Sequence, residues 1–262
     1  MEDSELKGKV ALVTGSAVRI GRAIALALSG RGASLAIHYG RSAAAAAMTV
    51  AEIRDLGGSA EAFQADLRDL TRTKELIGEV AQTVGEIDIL VNSAAVYATT
   101  EFANTSESIW DEQFTVNLKA PFFLAQAFSR HVGKTRSGQI INIADWRAVR
   151  PDPRSLAYSL SKGGIVTMTE GLALALAPNI RVNAIAPGAI LPPKGRDETF
   201  LRQMAGRIPL LRHGTPGDVA GALIFLATAQ FVTGQVLYVD GGAHLGGYES
   251  ETRPQGDMAD GR

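Results

Sequence analysis

The stretch that decides the fold is Val10-Ala11-Leu12-Val13-Thr14-Gly15-Ser16-Ala17-Val18-Arg19-Ile20-Gly21. Its first residues form a short, nearly unbroken apolar run, as expected of a strand buried on both faces. Two glycines follow, and then a helix-like pattern over residues 22–30. Gly15 permits a sharp turn and lets backbone N–H groups approach a pyrophosphate. Gly21 lets the helix pack close to the strand, and the helix N-terminus favours an anion. Strand, glycines and helix in this order predict a dinucleotide site.

Outward from this stretch, the same alternation continues. Residues 9–14, 34–39, 60–65, 87–92, 139–143, 181–186 and 235–239 read as buried strands. Residues 22–30, 43–56 and 71–84 have helical period between them. Such βαβ units predict an α/β fold, a doubly wound Rossmann-type three-layer sandwich with a seven-stranded parallel sheet. Without an intervening linker, residues 1–245 are expected to form one domain. Residues 246–262 are polar and Gly-rich and are expected to be a flexible tail.

Composition excludes other chemistries. The chain has 262 residues, no Cys, four His and a formal net charge of −1. It therefore has no disulfide framework, thiolate nucleophile or Cys-based metal site. The near-neutral balance predicts no nucleic-acid or membrane partner. His131, His213 and His244 lack metal-ligand spacing, so no metal is expected. The polar start MEDSELKGKV is unlike a secretory signal, and a cytoplasmic location is expected.

The end of the second strand sets the cofactor. An acidic residue there commonly holds the ribose 2′-OH. Here the sequence is His38-Tyr39-Gly40-Arg41-Ser42, with no carboxylate. A guanidinium beside a hydroxyl suits a 2′-phosphate, and Arg19 adds a second positive charge. The expected cofactor is NADPH. Farther on, Tyr158 and Lys162 stand four apart and share a helix face. A nearby ammonium is expected to lower the tyrosine pKa and make it a usable proton carrier.

At these residues the chain resembles the short-chain dehydrogenase/reductase family over residues 7–245. The motifs are Thr14-Gly15 through Gly21, Asp66-Leu67, Asn92-Ser93-Ala94-Ala95, Asn117, Tyr158 with Lys162, Pro187-Gly188 and Asp240-Gly241-Gly242. The resemblance implies that Gly15, Arg19, Ile20, Gly21, His38, Arg41, Ser42, Asp66, Leu67, Asn92, Ser93, Ala94, Pro187 and Gly188 bind the cofactor. It places Asp66 at the adenine amino group and Asn92 near the adenosine ribose. It gives Asn117 a proton-relay water, Tyr158 the proton transfer and Lys162 the nicotinamide ribose. It also implies a homo-oligomer, with a tetramer favoured.

The departures narrow the reading. The family usually has a catalytic Ser thirteen residues before the Tyr, and here Asp145 stands there. Arg19 replaces a frequent Gly, and Ala189 follows Pro187-Gly188 where a Thr is usual nearby. Arg19, the His-Tyr-x-Arg-Ser strand end and Asp145 together look like the pteridine reductases and bacterial dihydromonapterin reductases. In that branch an aromatic residue at the place of Tyr97 stacks the substrate ring. The expected substrate site is therefore Arg19, Tyr97, Asp145 and Tyr158.

Charge chemistry agrees. A carboxylate opposes a developing alkoxide, whereas a pterin offers ring nitrogens and amino donors that it can accept from or protonate. The expected reaction is NADPH-dependent reduction of a pterin-like small molecule. Ketone reduction on the same fold is the enzymatic alternative, and an NADPH-sensing interaction protein is the non-enzymatic one. Arg147 and Arg150 read as solvated loop residues, with an anionic substrate tail as the alternative. Residues 189–212, with Pro192, Pro193 and Gly195, read as a mobile substrate lid.

Overall fold

The structure is a computed structural model that describes residues 5–193 and 195–246. The expected tail, apart from Gly246, lies outside the described residues. Seven strands form one parallel sheet: β1 Val10–Val13, β2 Ser34–Tyr39, β3 Ala60–Gln64, β4 Ile89–Asn92, β5 Gly138–Ile143, β6 Ile180–Pro187 and β7 Val236–Val239. Their order is β3-β2-β1-β4-β5-β6-β7. The order reverses between β1 and β4, which opens a crevice outside their carboxyl ends.

The central strands are largely apolar because both faces are covered, whereas the edge strand β3 exposes Glu61 and Gln64. Ala11, Val13, Leu35, Ile37, Ile89 and Val91 pack into one core with Ile24 and Leu28 of α1 (Arg19–Gly30), Ile53 of α2 (Ala43–Asp55) and Leu223 of α8 (Pro216–Thr228). The alternate residues Val10, Leu12, Ala36 and Leu90 pack into a second core with Leu76 of α3 (Leu70–Thr83) and Leu124 and Phe128 of α5 (Ala120–Val132). The period-2 alternation of strand side chains thus divides one continuous apolar run between two layers.

The remaining helices are α4 (Glu107–Phe114), α6 (Leu156–Leu176) and α7 (Glu198–Ala205). A π-helical stretch, Thr115–Lys119, joins α4 to α5 and carries Asn117. Asp197 begins α7 by accepting the Thr199 amide, so part of the expected lid is a short helix. A buried polar chain fixes α6 to the sheet. Asn92 donates to Asn142 at 2.8 Å, Asn142 donates to Thr169 at 2.9 Å, and Thr169 donates to the Ile165 carbonyl at 2.7 Å.

Candidate active site

The glycine turn after β1 is built for close approach. Gly15 has φ of 66°, and a Cβ there would lie 2.8 Å from the Ala94 Cα. A Cβ on Gly21 would lie 2.4 Å from the Gly15 carbonyl oxygen. The α1 N-terminus has no side-chain cap and no acidic residue in its first turn. Its amides are therefore left to an external anion. Thr14 Oγ1 accepts from the amides of Ser93 and Ala94 at 2.9 and 3.1 Å, tying the turn after β1 to the loop after β4. Asn92 Oδ1 is buried without a hydrogen-bond partner beneath this turn. Open helix amides, a cradle that a Cβ would fill and an orphaned acceptor fit a dinucleotide.

His38 occupies a supporting place in this cradle. Its Nδ1 accepts from the Gly15 amide at 3.0 Å, and its Nε2 lies 3.0 Å from the Ala65 carbonyl. Its own carbonyl accepts from the Ser16 amide. Both ring nitrogens are committed inside the protein, so the side chain shapes the turn rather than facing the crevice. Burial lowers its pKa from 6.5 to about 4, keeping the ring neutral.

Arg41 and Ser42 are exposed at the end of β2. Asp66 is held in an ion pair with Arg68 at 2.5 Å. That hydrogen bond lowers the Asp66 pKa to about 2, with a smaller contribution from Arg41. The Asp66 carboxylate thus already has a cation partner. Leu67 is buried, while Ile20, Ser93, Ala94 and Gly188 are half-buried around the crevice. The backbone of Gly188 donates to the Val239 carbonyl at 3.0 Å, keeping the end of β6 against β7.

Arg19 has φ of 56°, an unusual conformation for a residue with a side chain. Such strain persists where the surroundings enforce it. Its guanidinium crosses to the loop after β6 and donates to the Pro192 carbonyl at 2.8 Å. Arg19 therefore links the cofactor turn to the expected lid.

Asp145 follows β5, and Tyr158 and Lys162 lie on α6. The Tyr158 hydroxyl donates to Asp145 Oδ2 at 2.9 Å. Asp145 Oδ1 accepts from the Arg147 amide at 2.8 Å. Lys162 is buried, and its Nζ donates to the Ile143 carbonyl at 2.7 Å. The Tyr97 ring meets the Tyr158 ring edge-on, with centroids 4.9 Å apart, and is itself exposed. Tyr97, Asp145, Tyr158 and Lys162 thus come together, while the Arg19 guanidinium is held at the Pro192 carbonyl.

The electrostatics differ from the expected ammonium effect. Burial, and then the Asp145 charge and hydrogen bond, raise the Tyr158 pKa well above its usual 10.0. Burial lowers Lys162 from 10.5 to about 8, against the pull of Asp145. Lys162 spends its hydrogen bond on Ile143 rather than on the phenol, so Asp145 governs the phenolic proton. Tyr158 is consequently a tightly protonated donor.

The Asn117 side chain is committed to neighbouring residues. Its Oδ1 accepts from the Val96 amide at 2.8 Å, and its Nδ2 donates to the Val96 carbonyl at 2.9 Å and to Ser161 Oγ at 3.2 Å. The side chain therefore clamps the residue before Tyr97. Sequence reading missed Ser161, which also donates to the Tyr158 carbonyl at 2.7 Å. Its place three residues after Tyr158, one helical turn on, was the available signal.

Fold and site together define a nicotinamide-dependent oxidoreductase. A family model described as Enoyl-(Acyl carrier protein) reductase matches residues 15–244. The 3-oxoacyl-[acyl-carrier-protein] reductase FabG of Staphylococcus aureus is 35% identical over 242 residues, covering 90% of this chain and 98% of that protein. The FabG of Thermotoga maritima is 38% identical over 247 residues, covering 90% and 98%. The crystal structure of FolM Alternative dihydrofolate reductase 1 from Brucella suis, in complex with NADP, superposes with a TM-score of 0.89 at 33% identity, covering 94% of this chain and 99% of that one. The chain belongs to the short-chain dehydrogenase/reductase family.

Among the described residues no group of His, Cys, Asp and Glu is arranged to hold a metal ion. No described helix is long and apolar enough to cross a membrane.

Proposed function

We propose that this chain is an NADPH-dependent reductase of a pterin-like heterocycle. The observation that carries the reading is the carboxylate of Asp145 accepting the Tyr158 hydroxyl at 2.9 Å. A ketone passes through an alkoxide, whose negative charge this carboxylate opposes. A protonated C=N bond carries positive charge, which it stabilises.

In this reading, the amides around Gly15, Arg19, Ile20 and Gly21 hold the pyrophosphate, and Arg41 with Ser42 holds the 2′-phosphate. Asp66 and Leu67 flank the adenine, Asn92, Ser93 and Ala94 the ribose, and Pro187 and Gly188 the nicotinamide side. His38 and Asn117 position the turn and the Val96 segment. NADPH held there would supply the hydride for a ring carbon. Tyr158 gives its proton to the adjacent ring nitrogen, Asp145 orients that proton and binds the ring, and Lys162 fixes α6 beneath them. Tyr97 and Arg19 frame the ring. The NADP in the FolM structure supports the cofactor assignment. A homo-oligomer belongs to the same proposal, supported by the exposed Trp110, Phe122 and Leu160 on α4, α5 and α6.

A substrate panel tests the reading: dihydropterins, oxidised pterins, ketones and sugars, each with NADPH and NADH. Dihydropterin turnover with NADPH is expected. Efficient ketone turnover without pterin activity would overturn the substrate class. Ketone reduction is the second reading because the FabG relatives are named as 3-oxoacyl reductases.

A further inference from the structure

Beside the Asp145–Tyr158 pair, the surface opens into a cleft of about 950 Å³. Small-molecule sites span roughly 300–1,000 Å³, so this cleft has room for more than a two-ring head. Trp146 and Arg147, immediately after Asp145, form its near end. The far part is unusually cationic. Arg147, Arg150, Arg154 and Arg207 line it, and Asp152 is the acidic residue among them. In a chain of net charge −1, this concentration is local.

The arginines come from separate elements. Three follow β5, and Arg207 lies just beyond α7. Arg147 is held 3.5 Å from Asp145 and 3.9 Å from Asp152, the latter beyond hydrogen-bond reach. Its Nε–H is buried and meets no acceptor. An unpaired buried guanidinium N–H costs free energy unless something supplies an oxygen. Arg150 spends one donor on the Ala243 carbonyl at 3.1 Å. Arg154 pairs with Asp152 at 3.4 Å but is largely exposed. Two carboxylates, Asp145 and Asp152, face four guanidinium groups, of which Arg150, Arg154 and Arg207 are exposed. The fork geometry of these groups suits planar or tetrahedral oxyanions.

We infer that this cleft is a subsite for an anionic extension of the substrate, a carboxylate or a phosphate, carried beyond the ring that is reduced. The inference rests on the proposed pterin reading for where the ring lies. The demand for negative charge does not depend on which ring it is. Arg150 is exposed, in keeping with the sequence reading of a solvated loop residue, whereas Arg147 is half-buried.

Calorimetric titration of the NADPH-bound protein separates the two proposals. The probes are benzoylglutamate, its uncharged diamide and benzyl phosphate. The dianion should bind wild-type protein about tenfold more tightly than the diamide, the effect of one or two charge-assisted bonds. That preference should collapse in the Arg154→Gln/Arg207→Gln double variant. Its melting temperature and NADPH affinity serve as the folding control. The tighter of the two anions identifies carboxylate or phosphate as the source.

In kinetics, the charged-over-neutral ratio of kcat/KM for dihydropterins differing only in the tail should fall about tenfold in the double variant, through KM. Equal binding of dianion and diamide to wild type, or a preference surviving in the double variant, overturns the subsite. Anion preference without any dihydropterin turnover leaves the subsite standing and removes the ring assignment.

Discussion

The hydroxyl of Tyr158 is bonded to a carboxylate, Asp145 Oδ2 at 2.9 Å, rather than to another hydroxyl. Burial and this carboxylate hold the phenolic proton well above the usual tyrosine range. The pair therefore delivers a proton best to a group more basic than a carbonyl, such as a ring nitrogen. Replacing the carboxylate tests this directly. Asp145→Ser should lower kcat/KM for dihydropterins at least about a hundredfold, the lower end of general acid–base contributions. The same variant should gain measurable ketone reduction. Steady-state kinetics on both substrates decides, and full retention of pterin turnover would falsify the role.

Lys162 gives a prediction on the alkaline side. Its pKa is lowered to about 8 by burial, and its ammonium donates to the Ile143 carbonyl at 2.7 Å. As pH rises through about 8, the ammonium loses its proton and α6 loses a charge-assisted anchor beneath Tyr158. The pH profile of kcat/KM should fall there. In Lys162→Met the residual rate should be down about 10²-fold or more, and this limb should be absent. Stability moves in the opposite sense. The unfolded chain holds the lysine proton up to 10.5, so unfolding free energy should rise between about 8 and 10.5. Denaturant titration across that window checks the sign.

The architecture was largely readable, for a physical reason. A strand covered on both faces needs a mostly apolar run, as in β1, although polar residues interrupt others, such as Glu61 in β3 and Asn183 in β6. Boundaries were less readable because they depend on partners distant in sequence. Residues 87–92 read as one strand, but β4 begins at Ile89. The Ile87 amide donates instead to His131 Nε2, a residue to which sequence reading gave no role. The motif positions of the site were visible, whereas their hydrogen bonds were not. Nothing local indicates that His38 holds Gly15, that Asn117 clamps Val96, or that Arg207 joins Arg147 and Arg150 in one cleft. Those relations exist only once the sheet order has brought the loops together.

His38 supplies an acid-side prediction. The Gly15 N–H can only donate and the Ala65 carbonyl can only accept, so Nε2 carries the proton and Nδ1 does not. Protonating Nδ1 breaks the bond to Gly15. The folded pKa of about 4 lies below the ordinary 6.5, so the unfolded chain takes up the proton first. Stability should therefore fall as pH drops from 6.5 toward 4, by on the order of 3 kcal/mol in full. His38→Asn should flatten this dependence in urea titrations at pH 7 and 4.5. It should also weaken NADPH binding several-fold, because the glycine turn loses its fixed support. An unchanged pH slope in the variant would remove His38 as the cause.

Arg41 carries the choice between the two nicotinamide cofactors. It is exposed at the end of β2, where a carboxylate would instead receive a ribose hydroxyl. A guanidinium on a 2′-phosphate is a charge-assisted contact worth about 1.5–3 kcal/mol, or roughly ten- to a hundredfold in binding. Arg41→Ala should raise KM for NADPH by that factor and leave KM for NADH nearly unchanged. Arg41→Asp should go further, since its carboxylate repels the phosphate and can accept from the ribose hydroxyls of NADH. Because the contact is solvent-facing, the wild-type preference for NADPH should shrink as salt rises and counter-ions screen it. The alanine variant should show a weaker salt response. Kinetics with both cofactors at two ionic strengths tests all of these, and a wild-type enzyme that prefers NADH would remove the assignment of Arg41.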